Sequence, residues 1–314
     1  MRPGTRRSLA RTMTYSLRSF GSYHAGGRVV RVTTGEPREI AVTREASYVY
    51  DPRGHFVVGA AWVQWFVPEK ACDLPPVVLV HGGGMHGAVW ETTPDGRPGW
   101  LHGLLDRGRE VHVVDMAERG RAGWMPGQMG GEPILRSMEE AWTLFRIGPA
   151  DGFAARQAFY DTQFPIPAFD ALATQACPRW LGTTAMQRKA LEAVLDRTGS
   201  ATVICHSQGA EAVFDIEAEG PKRIAAIGAV EPSATPPGGG LAGAAPLAIL
   251  AGDYLDAADH WARRAATWRD VPGAIYLDSV TEIAPGGTHL PMMDLRSDDN
   301  LALLMDRLDE GGVL

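Results

Sequence analysis

The chain has 314 residues, of which 45% are hydrophobic and 21% are charged. This length fits one large or two ordinary domains, and the composition is that of a globular protein with a sizeable core. The net charge of −7 argues against a nucleic-acid-binding protein, which usually presents a strongly basic face. No apolar run approaches the roughly 20 residues needed to cross a bilayer, so we expect no membrane span.

The cysteines argue for a reduced chain. There are three, Cys72, Cys177 and Cys205, which is too few for a disulfide framework. A cytoplasmic location is therefore expected. Neither CxxC nor HExxH spacing occurs, so the sequence predicts no metal site.

The first 27 residues are predicted to form a disordered basic arm. Residues 1–28 contain six arginines and no acidic residue. Residues 5–9 (TRRSL) weakly resemble a twin-arginine export signal, but residues 13–18 are too polar for the apolar segment that such a signal needs. We expect no export and place the folded domain at residues 28–314.

Short apolar segments that alternate with helical patterns predict the fold. The segments with strand character lie at 28–33, 55–67, 77–80, 111–115, 201–205, 224–230, 247–250 and 274–277. The segments with helical spacing lie at 184–197, 208–219, 255–269 and 298–308, three of them followed by Gly199, Gly220 or Gly311. Because most of the strands are continuously apolar, the sequence predicts an α/β fold with a mainly parallel, doubly wound sheet.

Residues 120–182 interrupt this alternation. They hold nine aromatic residues, and six prolines prevent one long helix. An aromatic-rich insertion at the loop end of a parallel sheet is typical of a lid over an apolar pocket, and we expect Trp124, Phe153 and Phe164 to line that pocket. Alternatively, individual rings pack the insertion onto the body of the domain.

The glycine cluster after the strand at 77–80 has two interpretations. Residues 82–87 (GGGMHG) fit the dinucleotide pattern GxGxxG, with Asp115 as the ribose-binding acid. That pattern requires a helix directly after the loop, whereas Pro94, Gly96, Pro98 and Gly99 interrupt the residues that follow. The second interpretation, which we favour, takes residues 81–84 (HGGG) as an oxyanion loop.

A nucleophile elbow supports the second interpretation. Residues 205–209 (CHSQG) join a predicted strand to a predicted helix and match GxSxG, with Cys205 in place of the first glycine. Small residues are needed on both sides of Ser207, since the strand and helix backbones nearly touch there. The turn exposes the Ser207 hydroxyl and directs the amide of Gln208 toward a developing oxyanion.

A serine nucleophile needs a base and an acid that orients the base. His289 lies in a glycine-rich loop between the last strand and the last helix, where hydrolases with such an elbow carry their histidine. His206 is adjacent to Ser207 and is expected to point away from the hydroxyl. Two acids follow buried strands, Asp253 and Glu231. Position alone slightly favours Asp253, although Asp253 could also cap the next helix.

The chain resembles the α/β-hydrolase superfamily over residues 28–314, and within it a small subgroup of bacterial esterases. The motifs that carry the resemblance are HGGG at 81–84, WETTPDGRPGW at 90–100, CHSQG at 205–209 and Glu231-Pro232. The resemblance implies that Glu231 is the acid of the triad. It also implies that the amide of Gly83 is the second oxyanion donor beside that of Gln208.

Together, the residues and the resemblance predict a serine carboxylic-ester hydrolase without cofactor. Ser207 would be the nucleophile, His289 the base and Glu231 the acid, and the substrate would be a small hydrophobic ester. A lactonase, thioesterase or acyltransferase would use the same residues. A ligand-binding protein that retains the fold is a further alternative, against which the complete triad argues. The sequence leaves open whether the chain forms a homodimer.

Overall fold

The computed structural model describes residues 14–220, 223–241 and 245–310 of the chain. These residues form a central eight-stranded sheet and a separate two-stranded hairpin. The strands are β1 (Leu17–Val32), β2 (Arg38–Ala41), β3 (Ser47–Tyr50), β4 (Gly54–Pro68), β5 (Val77–Val80), β6 (Val111–Asp115), β7 (Ala201–His206), β8 (Ile224–Val230), β9 (Leu247–Ala251) and β10 (Ile275–Asp278). The α-helices are α1 (Trp100–Asp106), α2 (Met138–Leu144), α3 (Phe169–Thr174), α4 (Thr184–Thr198), α5 (Gly209–Ala218), α6 (Asp259–Arg269), α7 (Ser279–Glu282) and α8 (Ser297–Glu310).

The large sheet is mainly parallel. Its strand order is β1-β4-β6-β5-β7-β8-β9-β10. β4 pairs antiparallel with both β1 and β6, and all the other neighbours are parallel. Every residue of β5, β6, β7 and β9 is buried, as expected of continuously apolar strands covered on both faces. The predicted α/β class and doubly wound sheet are confirmed.

Alternate residues of the central strands face two separate apolar clusters. On one face Val78 and Val80 pack with residues of α4, α5 and α6. On the other face Val77 and Leu79 pack with residues of α1 and α8, and with part of the 120–182 insertion. Because helices cover both faces, the carboxyl ends of the parallel strands are the part of the sheet that remains open for a site.

The prediction of a disordered arm up to residue 27 is wrong for residues 17–27, which belong to β1. This edge strand pairs with β4 from Leu17 opposite Pro68 to Val32 opposite Gly54. Exposed and partly covered residues alternate along its first half, so the strand lacks the continuous apolar run typical of the buried strands. Residues 1–13 of the expected arm lie outside the described residues.

The longer predicted helices correspond to α4, α5, α6 and α8. Gly199 and Gly220 follow α4 and α5 with positive φ angles of 78° and 146°, and Gly311 lies outside the described residues. The helices α1, α2, α3 and α7 have seven residues or fewer and no counterpart in the predictions, since so short a helix has little periodicity. None of the helices in the described part of the chain is long and apolar enough to cross a membrane.

The 120–182 insertion contains α2, α3 and several short 3₁₀ turns, and it is joined to the loop before α8. The amide of Gln163 donates to the carbonyl of Gly286 at 2.7 Å, and the amide of Leu295 donates to the carbonyl of Gln163 at 2.7 Å. The amide of His289 donates to the carbonyl of Phe145 at 2.9 Å. These backbone bonds fix the insertion against the loop that carries His289.

Candidate active site

Ser207 occupies a sharp turn between β7 and α5. Its φ angle is +49°, a left-handed conformation that non-glycine residues rarely adopt. A Cβ atom at Gly209 would lie 2.5 Å from the carbonyl oxygen of His81, so the close approach of strand and helix requires glycine there. Cys205 is fully buried, and burial raises the pKa of its thiol, so it fills space as a neutral side chain.

Ser207, His289 and Glu231 form one hydrogen-bonded line. The Ser207 hydroxyl lies 3.1 Å from Nε2 of His289, and Nδ1 of His289 lies 2.9 Å from Oε2 of Glu231. With Nδ1 donating to Glu231, Nε2 of the neutral imidazole can accept the hydroxyl proton. The structure therefore brings together the three residues predicted as nucleophile, base and acid.

Glu231 is held by more than His289. Arg146 donates from Nη1 to Oε2 at 2.9 Å and from Nη2 to Oε1 at 2.6 Å, and the amide of Gly252 donates to Oε1 at 2.5 Å. Both side chains of the Arg146–Glu231 pair are fully buried. The guanidinium also donates from Nε to the carbonyl of Asp253 at 2.7 Å and stacks over Trp261. A fully bonded pair such as this fixes the carboxylate in one position.

The charge of Arg146 affects the pKa values of both Glu231 and His289. Burial alone would raise the pKa of Glu231, but the charge of Arg146 and the hydrogen bond from His289 outweigh it and lower the pKa to about 2. The pKa of His289 is also lowered, first by burial and further by the charge of Arg146, while Glu231 acts in the opposite direction. At neutral pH the site therefore holds an ionised carboxylate beside a neutral imidazole.

Asp253 lies nearby but has another role. Its carboxylate accepts from the amide of Tyr254 at 2.7 Å and from the amide of Gly286 at 2.8 Å. Its amide donates to the carbonyl of Gly287 at 2.6 Å. These bonds hold the loop before His289, and it is Glu231, not Asp253, that contacts the imidazole. Asp253 does not cap α6 either, because that helix begins later, at Asp259.

The imidazole of His206 is bonded to the backbone of His289, and the ring nitrogen 3.1 Å from the Ser207 hydroxyl is that of His289. Nε2 of His206 donates to the carbonyl of His289 at 2.8 Å. The pKa of His206 is lowered to about 3, first by burial and then by the neighbouring His289. His206 is therefore a neutral donor that positions the backbone of the candidate base.

The glycine loop and the elbow face each other beside Ser207. A Cβ atom at Gly82 would lie 2.5 Å from Nδ1 of His206, and one at Gly83 would lie 2.5 Å from Oε1 of Gln208. A side chain at Gly82 would collide with the buried imidazole, and one at Gly83 would displace the ends of the Arg179 and Gln208 side chains. Gly83 and Gln208 line the same small cavity as the Ser207 hydroxyl, and Gln208 immediately precedes α5. This placement agrees with the expectation that their amides face a developing oxyanion.

The dinucleotide interpretation of this loop finds no support. The loop continues into a 3₁₀ turn at Gly87–Trp90, and the next α-helix begins only at Trp100. The carboxylate of Asp115 accepts from the amide of Gly87 at 2.6 Å and from Arg121, so it is used within the fold.

No group of three or more His, Cys, Asp or Glu side chains that could hold a metal ion occurs among the described residues.

Two adjoining cavities lie at this end of the sheet, and Ser207 lines the smaller one. The small cavity has a volume of about 180 Å³ and contains Ser207 and His289 in its wall. The large cavity has a volume of about 690 Å³ and is lined mostly by residues 134–177 of the insertion together with Met85 and Val89. The cavities share Gly83, Arg136, Phe145 and Arg179. A ligand can therefore extend from the serine into an apolar chamber, as the lid hypothesis requires.

The three aromatic residues predicted to line the pocket do not line it. Trp124 is 56% exposed and packs on Trp180 with ring centroids 4.9 Å apart. Phe153 and Phe164 pack edge-on against Phe169, and Phe164 is 1% exposed. For these rings the alternative interpretation, packing of the insertion, is the correct one. The aromatic side chains that do line the large cavity are Phe145 and Phe169.

Sequence reasoning also missed four arginines. Arg146 binds Glu231, and Arg136, Arg179 and Arg264 line the small cavity. Arg136, Arg146 and Arg179 come from the insertion and Arg264 from α6, far apart in the chain. No motif marks any of them, and only the three-dimensional arrangement brings them together.

This strand order, with a serine elbow after β7, an acid after β8 and a histidine before the last helix, is that of the α/β-hydrolase fold. The predicted resemblance to a bacterial esterase is confirmed by a solved structure described as that of a novel bacterial esterase. The two chains superpose with a TM-score of 0.80 and 27% sequence identity, covering 95% of this chain and 97% of the other.

A second relative is fungal. The chain is 32% identical over 209 residues to "Probable secreted lipase phiG" of Fungal sp. (strain ATCC 74256). The match covers 64% of this chain and 56% of the fungal protein, so the chain spans little more than half the length of that relative. No protein-family model matches the chain.

Proposed function

We propose that the protein is a serine carboxylic-ester hydrolase that acts through a Ser207–His289–Glu231 triad and an acyl-enzyme. The observation that carries the proposal is the hydrogen-bonded line from Ser207 to Glu231, with separations of 3.1 and 2.9 Å, at the wall of a cavity. A relative described as an esterase and another named as a lipase support the same reaction class.

In the acylation half-reaction, the Ser207 oxygen attacks the acyl carbon while His289 Nε2 takes the hydroxyl proton. The negative charge that develops on the carbonyl oxygen is stabilised by the amides of Gly83 and Gln208. The imidazolium is stabilised by the carboxylate of Glu231. When the tetrahedral intermediate collapses, His289 returns its proton to the leaving alcohol, and the acyl group stays on Ser207.

In the deacylation half-reaction, water takes the place of the alcohol. His289 removes a proton from the water, the hydroxide adds to the acyl carbon, and Ser207 leaves with the proton held by His289. The carboxylic acid is released and the enzyme is restored. Arg146 touches no reacting atom, and its contribution is to hold Glu231 in place and to lower the pKa of His289.

The large cavity favours a hydrophobic part in the substrate. Its wall includes Met85, Phe145, Phe169 and Leu172, and its volume of about 690 Å³ accommodates a medium-length acyl chain or a ring system. Backbone hydrogen bonds of the insertion to the His289 loop favour a fixed wall over a hinged flap.

Pre-steady-state hydrolysis of p-nitrophenyl esters tests the proposal. We expect a burst of p-nitrophenol stoichiometric with enzyme, together with an acyl adduct on the Ser207 peptide detected by mass spectrometry. The Ser207→Ala variant should show neither signal. Binding of the ester without release of p-nitrophenol would instead indicate a ligand-binding protein, and absence of the adduct in an active enzyme would rule out the mechanism.

The same assay separates the alternatives of this fold. Addition of alcohols should divert little of the acyl-enzyme from hydrolysis. Diversion of most of it to new ester would identify an acyltransferase. Faster turnover of lactones or thioesters than of oxygen esters, at equal chain length, would identify a lactonase or thioesterase.

Location and assembly are also proposals. A cytoplasmic location is supported by the free state of Cys72, Cys177 and Cys205, whereas the fungal relative is named as secreted. Cell fractionation of the producing organism would decide between the two. Light scattering at micromolar concentration would decide whether the chain forms a homodimer.

A further inference from the structure

We propose that the natural substrate is an ester that carries a free carboxylate, bound by Arg179 and Arg264 in the small cavity, with its hydrophobic part in the large cavity. The inference rests on the proposed ester hydrolysis and adds the class of substrate. It follows from the charge, burial and pairing of the side chains around Ser207.

The small cavity is positively charged in a chain whose net charge is −7. Three arginines line it, Arg136, Arg179 and Arg264, and no aspartate or glutamate lines it. The triad carboxylate is hydrogen-bonded to Arg146 and His289, and it reaches Arg264 only through its charge, without a hydrogen bond. A cationic cavity on an acidic protein attracts an anionic ligand and repels a cationic one.

The three arginines differ in how they are paired. Arg136 forms an ion pair with Glu140. Arg179 donates from Nη1 to Oε1 of Gln208, while its Nε is buried and has no hydrogen-bond partner among the described residues. Arg264 stacks over Trp261 with 4.9 Å between the guanidinium carbon and the ring centroid, and it has no ion pair within the described part of the chain. Of the three, Arg179 and Arg264 thus have no ion pair among the residues that the structure describes.

Burial and neighbouring charges make the protonated forms of Arg179 and Arg264 less favourable. Burial lowers the pKa values of both Arg179 and Arg264. The charge of Arg136 lowers that of Arg179 further, whereas for Arg264 the charge of Glu231 opposes the effect of burial and that of Arg146 adds to it. Partly buried cations that repel their neighbours are stabilised when an anion enters. A carboxylate fits because a planar guanidinium can bind its two oxygens with parallel hydrogen bonds.

The arrangement of the cavities requires a substrate with two unlike parts. Arg179 belongs to the wall of both cavities, and Arg264 belongs only to the small one. Most of the surface of the large cavity is apolar and includes Phe169 and Leu172, although Arg156 and Asp170 also line it. A carboxylate near Ser207 would therefore be accompanied by a hydrophobic group in the large cavity.

The carboxylate could lie on the acyl side or on the alcohol side of the ester. The test therefore uses two pairs of esters, each an acid and its neutral amide of nearly equal shape. Monomethyl glutarate and its half-amide place the group on the acyl side. 3-Acetoxypropanoate and 3-acetoxypropanamide place it on the alcohol side.

For at least one pair, we expect wild-type kcat/KM, followed by proton release, to be about tenfold higher for the acid than for the amide, as for a charge-assisted hydrogen bond. Arg264→Gln should lower that ratio about tenfold. Arg263→Gln changes the exposed arginine next to it on α6, outside both cavities, and should keep the wild-type ratio. A ratio of one or less in both pairs, or an unchanged ratio in Arg264→Gln, would overturn the inference.

A binding measurement separates this inference from the proposed function. Ser207→Ala cannot turn over the esters, so calorimetry can compare its Kd for each acid with its Kd for the amide. Tighter binding of an acid, lost in Ser207→Ala/Arg264→Gln, supports the anion site even if no ester is hydrolysed by the wild type. Equal binding of acid and amide would refute the anion site even if neutral esters are good substrates.

Discussion

The ends of the parallel strands and the 120–182 insertion contribute to the same site in different ways. Gly83 follows β5, Ser207 follows β7 and Glu231 follows β8, so the register of the sheet determines where these residues lie. The insertion has no strand of the large sheet, and its side chains reach the site only through tertiary packing. The strand ends thus position the proposed triad, and the insertion forms most of the wall of the large cavity. If the proposal holds, changes at the strand ends should affect turnover, and changes in the insertion should affect stability or substrate preference.

The largest effect is expected from the nucleophile. Ser207→Ala should lower the turnover of p-nitrophenyl butyrate by on the order of 10⁴-fold or more, as the loss of a triad nucleophile does in a serine protease. The fold should be retained, because alanine removes only the hydroxyl and introduces no new contact. Circular dichroism and the melting temperature serve as controls. Turnover close to that of the wild type would contradict the assignment.

The second-largest effect is expected from Glu231→Gln, and comparison with Asp253→Asn tests which of the two residues is the acid of the triad. Glu231→Gln should lower kcat by at least about 10²-fold, because it removes the charge that stabilises the imidazolium of His289; loss of the corresponding charge in a serine protease costs about 10⁴-fold. Asp253→Asn should cost much less, since its carboxylate bonds only backbone amides of Tyr254 and Gly286.

The two acid variants need a stability control. Glu231→Gln leaves the buried guanidinium of Arg146 without a counter-ion, so its melting temperature should fall as well. The rates should therefore be measured per titrated active site, well below the melting transition. A large loss of kcat in Asp253→Asn, together with a nearly wild-type kcat in Glu231→Gln, would show that Asp253 is the acid.

The strand-end residues could be predicted because order in the chain determines their place in a parallel sheet. Ser207 and His289 follow from the elbow and from the loop after the last strand. Glu231 required the resemblance, since position alone could not separate it from Asp253. The separation depends on where the carboxylate points: that of Glu231 lies 2.9 Å from the imidazole, whereas that of Asp253 accepts from the amide of Gly286.

The insertion could be predicted only as a region. Its aromatic content indicates burial, but it does not indicate whether a ring faces the core or the cavity. Phe164 and Phe169 are five positions apart in the same proline-containing segment, yet one lies in the core and the other also lines the cavity. The first part of edge strand β1, before residue 28, escaped prediction for a related reason, because the pattern of a strand covered on one face is weaker than that of a buried one.

Phe164→Ala tests the assignment of a ring of the insertion to the core. The side chain is 1% exposed and packs against Phe169 with ring centroids 6.2 Å apart. Its truncation should lower the free energy of unfolding by about 3–5 kcal/mol, measured by urea titration, and leave the preference for acyl chain length unchanged. A shift in chain-length preference at unchanged stability would instead place this ring in the pocket.

Arg146 is where the two regions meet, and its effect should appear in the pH profile. Its charge lowers the pKa of His289, so Arg146→Met should raise that pKa. The base is then protonated at higher pH, so the acid limb of kcat/KM should move to higher pH. Arg146→Lys keeps the charge and should shift the limb less. If Arg146→Met is folded and the acid limb of its pH profile stays at the wild-type position, this electrostatic role is contradicted.

The smallest effect is expected at the rim of the chamber, where the chain offers a matched pair. Leu135 and Leu181 are both 60% exposed, and only Leu135 lines the large cavity. Leu135→Trp should narrow the large cavity and lower kcat/KM for p-nitrophenyl decanoate relative to butyrate by about three- to tenfold. A loss of this size is expected when part of an acyl chain no longer fits its hydrophobic pocket. Leu181→Trp should change that ratio less than about twofold, and both melting temperatures should stay close to that of the wild type, since both sites are exposed. If the decanoate-to-butyrate ratio of kcat/KM is the same in Leu135→Trp and Leu181→Trp, acyl chains do not enter the large cavity. The insertion would then be a structural cover and not the wall of a substrate pocket.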